Sequence, residues 1–481
     1  MRKNDFTTED HLYMQVANGL EKMIGEDVLK IGDKLPSVRV LSDEYGISMG
    51  TAFQAYYHLE GKGLIEARPK SGYYVRFNNK RFPDLPQLKQ PDTLSHEVSV
   101  KQMIASIYAD IASHSDKVIN FAIAAPDASL LPTAKMNKSV MQALRNSKDS
   151  CIGYEHTQGN VELRKQIARL AFNWGGKIKP DEIVVTSGCL EAITMCLRAV
   201  TTYGDTVAIE SPNYFGIYQA IESLGLKVVE ISSHPTTGLD LDSLQQAIKK
   251  FSIKACVVIT NFNNPLGSLM PDEDKKKLVD IITQNQIPLI EDDIYGELYF
   301  GRKRPKPCKY YDTKGWVMHC TSLSKSLTPG YRIGWAIPGK FLEQVQQIKR
   351  ILNISSPTLT QAAVAHFLQH GRYEYHLKSL RKALHTQCLR YMQAIIQYFP
   401  EDTKISRPQG GFILWVQLNK KINAFKLRTE AMKHNISIVP GQLFSASSNY
   451  GNCIRISFGR PWDDDADYGM MMLGKLVKKM L

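Results

Sequence analysis

Ser322-Leu323-Ser324-Lys325, followed by Arg332-Ile333-Gly334, is the stretch on which the fold turns. It sets one lysine among hydroxyls, with an arginine seven residues further on. A lysine that attacks an aldehyde must first lose its proton, so it needs surroundings that favour the neutral amine. A phosphate needs hydroxyl donors and a planar guanidinium that binds two oxygens at once. The run supplies both, and its meaning depends on what stands upstream.

Upstream, short apolar segments alternate with amphipathic helices from about residue 116 onward. Residues 183–186, 206–209, 227–230, 255–259 and 288–291 read as strands. Such alternation predicts an α/β fold with a largely parallel sheet covered by helices on both faces. Sites in that architecture lie beyond the carboxyl ends of the strands. The chemistry-bearing residues fall there. Ser187-Gly188-Cys189 opens a helix whose free amides suit a phosphate. Tyr214 offers a ring for stacking, or for packing in the core. Asn264-Pro265 offers an amide donor, or a plain turn. In Glu291-Asp292-Asp293-Ile294-Tyr295 a carboxylate can hold a pyridine nitrogen protonated while the tyrosine reaches a phenolic oxygen. The Asp-x-x-Tyr spacing favours Asp292 over its rival Asp293. The ordered set Gly188, Tyr214, Asn264, Asp292, Tyr295, Lys325, Arg332 is the donor set that pyridoxal 5'-phosphate requires.

The bulk composition bounds the rest. At 481 residues with 43% hydrophobic content, the chain is long enough for one large unit and a smaller module. No run approaches the length of a membrane helix and the first residues do not read as a signal peptide, so a cytoplasmic protein without membrane contact is expected. The eight cysteines lack a Cys-x-x-Cys pair and fit a reducing compartment. His366 and His370 stand one helical turn apart without an acidic or cysteine partner nearby, so no metal site is expected. The formal net charge is +13, yet residues 1–80 carry eleven basic and eleven acidic side chains. The basic run Arg302-Lys303-Arg304-Pro305-Lys306 reads as a solvated loop, with a second DNA contact as the alternative.

The front of the chain has its own pattern. Tyr13, Val16, Ala17, Leu20, Met23 and Ile24 recur at helical spacing. Ser37 is placed to cap a second helix and Ser48 a third, which carries Thr51, Phe53, Tyr56, Tyr57 and Leu59, the last three read as core. Residues 64–68 and 73–77 read as two strands about Ser71-Gly72. Three helices and a hairpin make a winged helix-turn-helix over residues 1–78. Pro83, Pro86 and Pro91 begin a linker over residues 79–115, weakly helical from Ser99, with reach enough to hold the front domain apart from the body.

Leu35-Pro36-Ser37-Val38-Arg39, Gly46-Ile47-Ser48, Thr51, Ala55-Tyr56 and Ser71-Gly72 resemble the GntR family of bacterial repressors. The resemblance implies that Arg39 reaches a double-stranded DNA operator, that Ser37, Ser48 and Thr51 hold phosphates, and that the wing with Lys70 and Gly72 enters the minor groove. Met49 departs from it, standing where many members carry a basic residue, so base readout there is expected to be weaker or apolar. Residues 116–481 resemble fold type I, class I aminotransferases, whose fold is a mostly parallel sheet with a small C-terminal α+β subdomain. That resemblance implies a Schiff base at Lys325, a ring-nitrogen partner in Asp292, and a phenolic-oxygen pair in Asn264 and Tyr295. It further implies a stacking Tyr214, a phosphate site of Gly188, Cys189, Ser322, Ser324 and Arg332, and contact through the Cys189 backbone amide alone. Tyr154 would reach the neighbouring subunit's phosphate, which makes a homodimer, and Arg455 would bind a carboxylate. Reader and body together resemble the MocR/GabR group of regulators. The expectation is a transcriptional regulator that binds pyridoxal phosphate and senses an amino acid or amine, the alternative being an active aminotransferase with an attached DNA-binding domain.

Overall fold

The structure, a computed structural model, describes residues 12–25, 28–29, 33–68, 72–75, 83–91, 94–97, 118–147, 149–370, 373–447 and 449–481. Lys70 and the helix expected from Ser99 lie outside the described residues.

The body is built on one large sheet. Its order runs Ser95–Glu97, Lys227–His234, Thr206–Ser211, Ile253–Val258, Leu289–Asp292, Val317–Ser322, Gly334–Ile337, Val184–Thr186, with Gly238–Leu239 as an added pair on Lys227–His234. Neighbours from Lys227–His234 to Val317–Ser322 pair in parallel. Gly334–Ile337 runs antiparallel to both strands beside it. The central strands are buried on both faces, as runs such as Val-Ala-Ile require when helices cover the sheet on each side. The five strands expected from sequence are present; Val317–Ser322 and Gly334–Ile337 are two that the sequence reading missed.

Behind this sheet lies a smaller antiparallel one, Lys404–Ile405, Ile413–Gln417, Cys453–Ser457 and Val439–Pro440 in that order. The helices Tyr373–Tyr398, Ala424–Met432 and Asp464–Lys479 complete this α+β part. Its second cluster of apolar side chains, including Phe412, Leu414, Ile454 and Ile456, reaches Tyr295 and thereby the large sheet. Gly411, at φ 71°, makes the turn into Ile413–Gln417.

The front domain has helices Leu12–Gly25, Val38–Tyr45 and Met49–Gly61 and the hairpin Ile65–Arg68 with Gly72–Val75. Ser37 caps the second helix by accepting from the Val40 amide at 3.2 Å, and Ser48 caps the third through the Thr51 amide at 3.0 Å. Val16, Ala17, Leu20, Leu41, Ala52, Tyr56 and Leu59 form its core. Tyr57 does not join them. It remains 45% exposed, and its hydroxyl donates to the Phe300 carbonyl of the body at 3.0 Å.

The connection between the two parts differs from a free spacer where it is described. The Asp84 carbonyl accepts from the Ile405 amide at 3.0 Å, Gln87 and Gln417 exchange two bonds, and Ser95–Glu97 extends the large sheet. Backbone that reads as polar linker here satisfies its hydrogen bonds on the body instead of in water.

Candidate functional site

The strand ends of the large sheet converge on a cavity of about 340 Å³. Its walls include Cys189, Tyr214, Asn264, Asp292, Tyr295, Ser322, Ser324, Lys325, Arg332 and Arg455. Residues separated by up to 266 positions in sequence thus meet because each sits just past a strand or on the subdomain sheet facing it.

Val184–Thr186 delivers Gly188 to the start of the helix Cys189–Val200. Gly188 has φ 97°, and a Cβ there would lie 2.3 Å from Arg332 Nη2, so only glycine leaves room for the guanidinium. Arg332 donates to the Ser324 hydroxyl and to the Ser187 carbonyl, each at 3.1 Å. Glycine amides, the helix N-terminus, two serines and one arginine therefore face one corner, a donor set suited to a phosphate.

Val317–Ser322 leads into the short turn Leu323–Lys325, capped by Ser322. Lys325 Nζ donates to the Ala124 carbonyl at 2.5 Å. Burial, with Arg455 and Arg332 nearby, pulls its pKa down to about 8, so a large share of the amine is neutral near that pH. Asp292 ends the neighbouring strand, and burial pushes its carboxyl up to about 6. Its Oδ1 accepts from the Ile294 amide at 3.0 Å and from the Cys189 thiol at 3.2 Å. The thiol contact gives the Cys189 side chain a partner in Asp292, separate from the backbone amide expected to face the phosphate.

Asp293, the rival carboxylate, faces away from the cavity. It takes Arg304 at 2.6 Å, the Asn261 amide at 2.7 Å and His319 at 3.1 Å. Burial opposes its ionisation, yet Arg304 and His319 hold it well below the ordinary carboxylate range. Arg304 is itself buried and also binds Glu297 at 2.6 Å, so the basic run is not simply a solvated loop; Arg302 and Lys303 are its exposed members.

Opposite the lysine, Asn264 donates to the Tyr295 hydroxyl at 3.3 Å. Arg455 is 1% exposed, which excludes a surface strand arginine, and it bonds the Ala122 carbonyl and Asn264. Among the described residues its Nε is buried without a hydrogen-bond partner. Burial lowers its pKa to about 10, and Phe444 stands 5.5 Å from the guanidinium. Tyr154 is 89% exposed and outside the cavity.

Sequence reading missed the carbonyls of Ala122 and Ala124, the Cys189 side chain and the apolar walls Ile193, Phe215 and Ile294. No local signal marks a carbonyl that holds a cation; only closure of the 118–131 segment over the cavity does. In the reader, Arg39, Ser48, Met49 and Phe53 are exposed and Gly72 has φ 104°. Thr51 is half-buried, its hydroxyl 2.8 Å from that of Ser48.

The body has the fold of type I aminotransferases and the front domain is a winged helix-turn-helix. The sequence pattern of the family described as aminotransferase class I and II matches residues 116–468, and that of bacterial regulatory proteins of the gntR family matches residues 12–75. The chain is 37% identical over 469 residues to the uncharacterized HTH-type transcriptional regulator YdcR of Escherichia coli, covering 98% of this chain and 99% of that one. It is 28% identical to the 2-aminoadipate transaminase of Thermus thermophilus, over 76% of this chain and 91% of the relative. The crystal structure of LysN, an α-aminoadipate aminotransferase of the same organism complexed with N-(5'-phosphopyridoxyl)-L-leucine, superposes with a TM-score of 0.72 at 26% identity, over 80% of this chain and 99% of that one. The chain belongs to the class I and II aminotransferase family, with a gntR-family domain fused at its front.

Proposed function

We propose that the chain is a pyridoxal phosphate-dependent transcriptional regulator, which binds a double-stranded DNA operator through its front domain and senses an amino compound through its body. The residues of the cavity suit that cofactor. Gly188 leaves space for Arg332 beside a helix N-terminus, Lys325 titrates near 8, and Arg455 keeps a buried Nε unpaired. When bound, the cofactor supplies an aldehyde that condenses with amines and a ring that draws electron density. The chain supplies the rest. Lys325 would present the amine, and Asp292 would pair with the ring nitrogen. Asn264 and Tyr295 would hold the phenolic oxygen, and Tyr214 would stack on the ring. Gly188, Cys189, Ser322, Ser324 and Arg332 bind the phosphate, joined across a homodimer by Tyr154 of the neighbouring copy. Arg455 binds the effector's carboxylate with two parallel bonds. Among the described residues no helix is long and apolar enough to cross a membrane, in keeping with a regulator at work on DNA in the cytoplasm.

The observation that carries sensing is one short segment. Asp292, Ile294 and Tyr295 line the cavity; Glu297 holds Arg304 and Arg381; the Phe300 carbonyl accepts from Tyr57 of the reader; and Arg302 stands 5.7 Å from the Tyr13 ring. Eleven residues thus join the cavity wall to two helices of the reader. A ligand that prefers one arrangement of this segment biases the reader by that preference.

Fluorescence anisotropy on operator DNA, with cofactor and a panel of amino acids, tests the reading. Wild type is expected to change affinity on addition of cofactor and effector, and Lys325→Ala to give no response. Equal responses in the two proteins sink it. The complete set Lys325, Asp292 and Arg455 favours the alternative of an active aminotransferase, for which sustained conversion of amino acids to 2-oxo acids is the readout.

A further inference from the structure

The first two turns of the helix Met49–Gly61 carry no charged side chain. From Ser48 to Tyr57 the chain contains no Lys, Arg, Asp or Glu. Ala52, Ala55 and Tyr56 are buried in the reader's core, which leaves Met49 at 56% exposure, Gly50, Phe53 at 53% and Gln54 outside. Met49 and Phe53 lie one turn apart on the same face, an apolar stripe that the described residues of its own domain leave uncovered. Tyr57 continues the stripe, but its hydroxyl is taken by Phe300, so the free part is the first two turns.

Gly50 is an independent observation. A glycine in a helix interior costs about 1 kcal/mol relative to alanine, and a smaller cost of the same kind falls on Gly50, in the first turn after the Ser48 cap. A Cβ at this position would meet only Ser48 Oγ, at 3.6 Å, which is ordinary contact. Packing within the chain therefore gives no reason for a glycine. A bare backbone on an outward face suits a surface that must come close to another.

In a helix-turn-helix the second helix of the motif enters the major groove by its N-terminal residues. Guanine there is read by Arg or Lys, adenine by the amide of Gln or Asn, and thymine by apolar contact with its methyl group. Apart from the Ser48 and Thr51 hydroxyls, which can serve either base, the first two turns offer no Arg or Lys for guanine, one amide for adenine and two apolar side chains for thymine. We propose that Met49 and Phe53 read thymine methyl groups and Gln54 reads an adjacent adenine, with Gly50 admitting the helix backbone to the groove, so that the helix selects A·T pairs. This rests on the front domain being a DNA reader and names the chemistry by which it reads. Arg39, exposed on the preceding helix, stands outside this set.

The test uses the full-length protein to select duplexes from a random library, then compares each enriched site with its thymine-to-uracil counterpart, which lacks the methyl group. Expected are A·T pairs at the positions the helix covers and a loss of about fourfold for each contacted methyl in wild type, the worth of one buried carbon. Phe53→Ala is expected to respond less than twofold to the same change, and Gly50→Ala to melt no lower than wild type while binding DNA more weakly. Enriched sites with G·C pairs at those positions, or indifference to uracil together with a Gly50→Ala protein that binds as wild type, overturn the proposal while leaving DNA binding intact. Failure of folded wild type to enrich or retain any duplex overturns the DNA reading itself. Self-association abolished by Phe53→Ala, with DNA affinity unmoved, assigns the stripe to a second copy and likewise overturns the proposal.

Discussion

Two adjacent carboxylates, Asp292 and Asp293, have opposite chemistry because of what lies behind each. Asp293 meets a buried guanidinium and ionises readily; Asp292 meets a thiol, an amide and an apolar wall, and holds its proton up to about 6. The thiol bond lowers the Asp292 pKa against burial. Cys189→Ala is therefore expected to move that titration upward by roughly one pH unit or less, with Cys189→Ser restoring it, as read from the pH dependence of cofactor absorbance. Lys325 gives a second pH signature. Its pKa falls from the usual 10.5 to about 8, so uptake of pyridoxal phosphate by cofactor-free protein should quicken as pH rises to about 8 and then level. The sign for stability follows the same shift. Between about 8 and 10.5 the unfolded chain holds a proton that the folded chain has released, so this residue's contribution rises with pH across that window. A rate of uptake that stays flat from pH 6 to 9 contradicts the assignment.

At the scale of elements, propensity and capping were legible and long-range partners were not. The helix starts at Ser37 and Ser48 could be read because a hydroxyl before an apolar-periodic run satisfies amides that the helix leaves bare. The strands Val317–Ser322 and Gly334–Ile337 escaped because the first carries His319, Thr321 and Ser322 inward and the second includes Gly334 and Ala336, residues of weak strand preference. His319 is acceptable inside only because Asp293 comes from the next strand. The basic run misled for the same reason: Arg304 turns inward because Asp293 and Glu297 wait there, an arrangement no local pattern announces. Arg304→Met leaves the Asp293 carboxylate buried without its cation. The expected loss is about 3–5 kcal/mol, read by urea denaturation, since breaking one side of a buried pair costs far more than the pair contributes.

At the scale of the molecule, the reader rests on its own body through a few contacts: Tyr57 on Phe300, both rings beside His385, and Arg302 near Tyr13. Tyr57→Phe removes one hydrogen bond between them, worth about 0.5–1.5 kcal/mol. DNA affinity of the ligand-free protein is expected to stay within about twofold, by the argument that the bond is remote from the first turns of the recognition helix, while the change in affinity on adding cofactor and effector shrinks measurably. An unchanged response removes this contact from the coupling. By itself, the sequence determined the two-part organisation, the strand–helix alternation of the body and the order of the cavity residues, because each rests on local periodicity or on short spacings past strand ends. The tertiary structure alone decided that Asp293 turns away to Arg304, that the Cys189 thiol and the carbonyls of Ala122 and Ala124 belong to the site, and that the tether lies on the body. Those depend on where distant strands place a charge or a carbonyl, and in a buried site the partner across the space, rather than the neighbour in the chain, sets what a group can do.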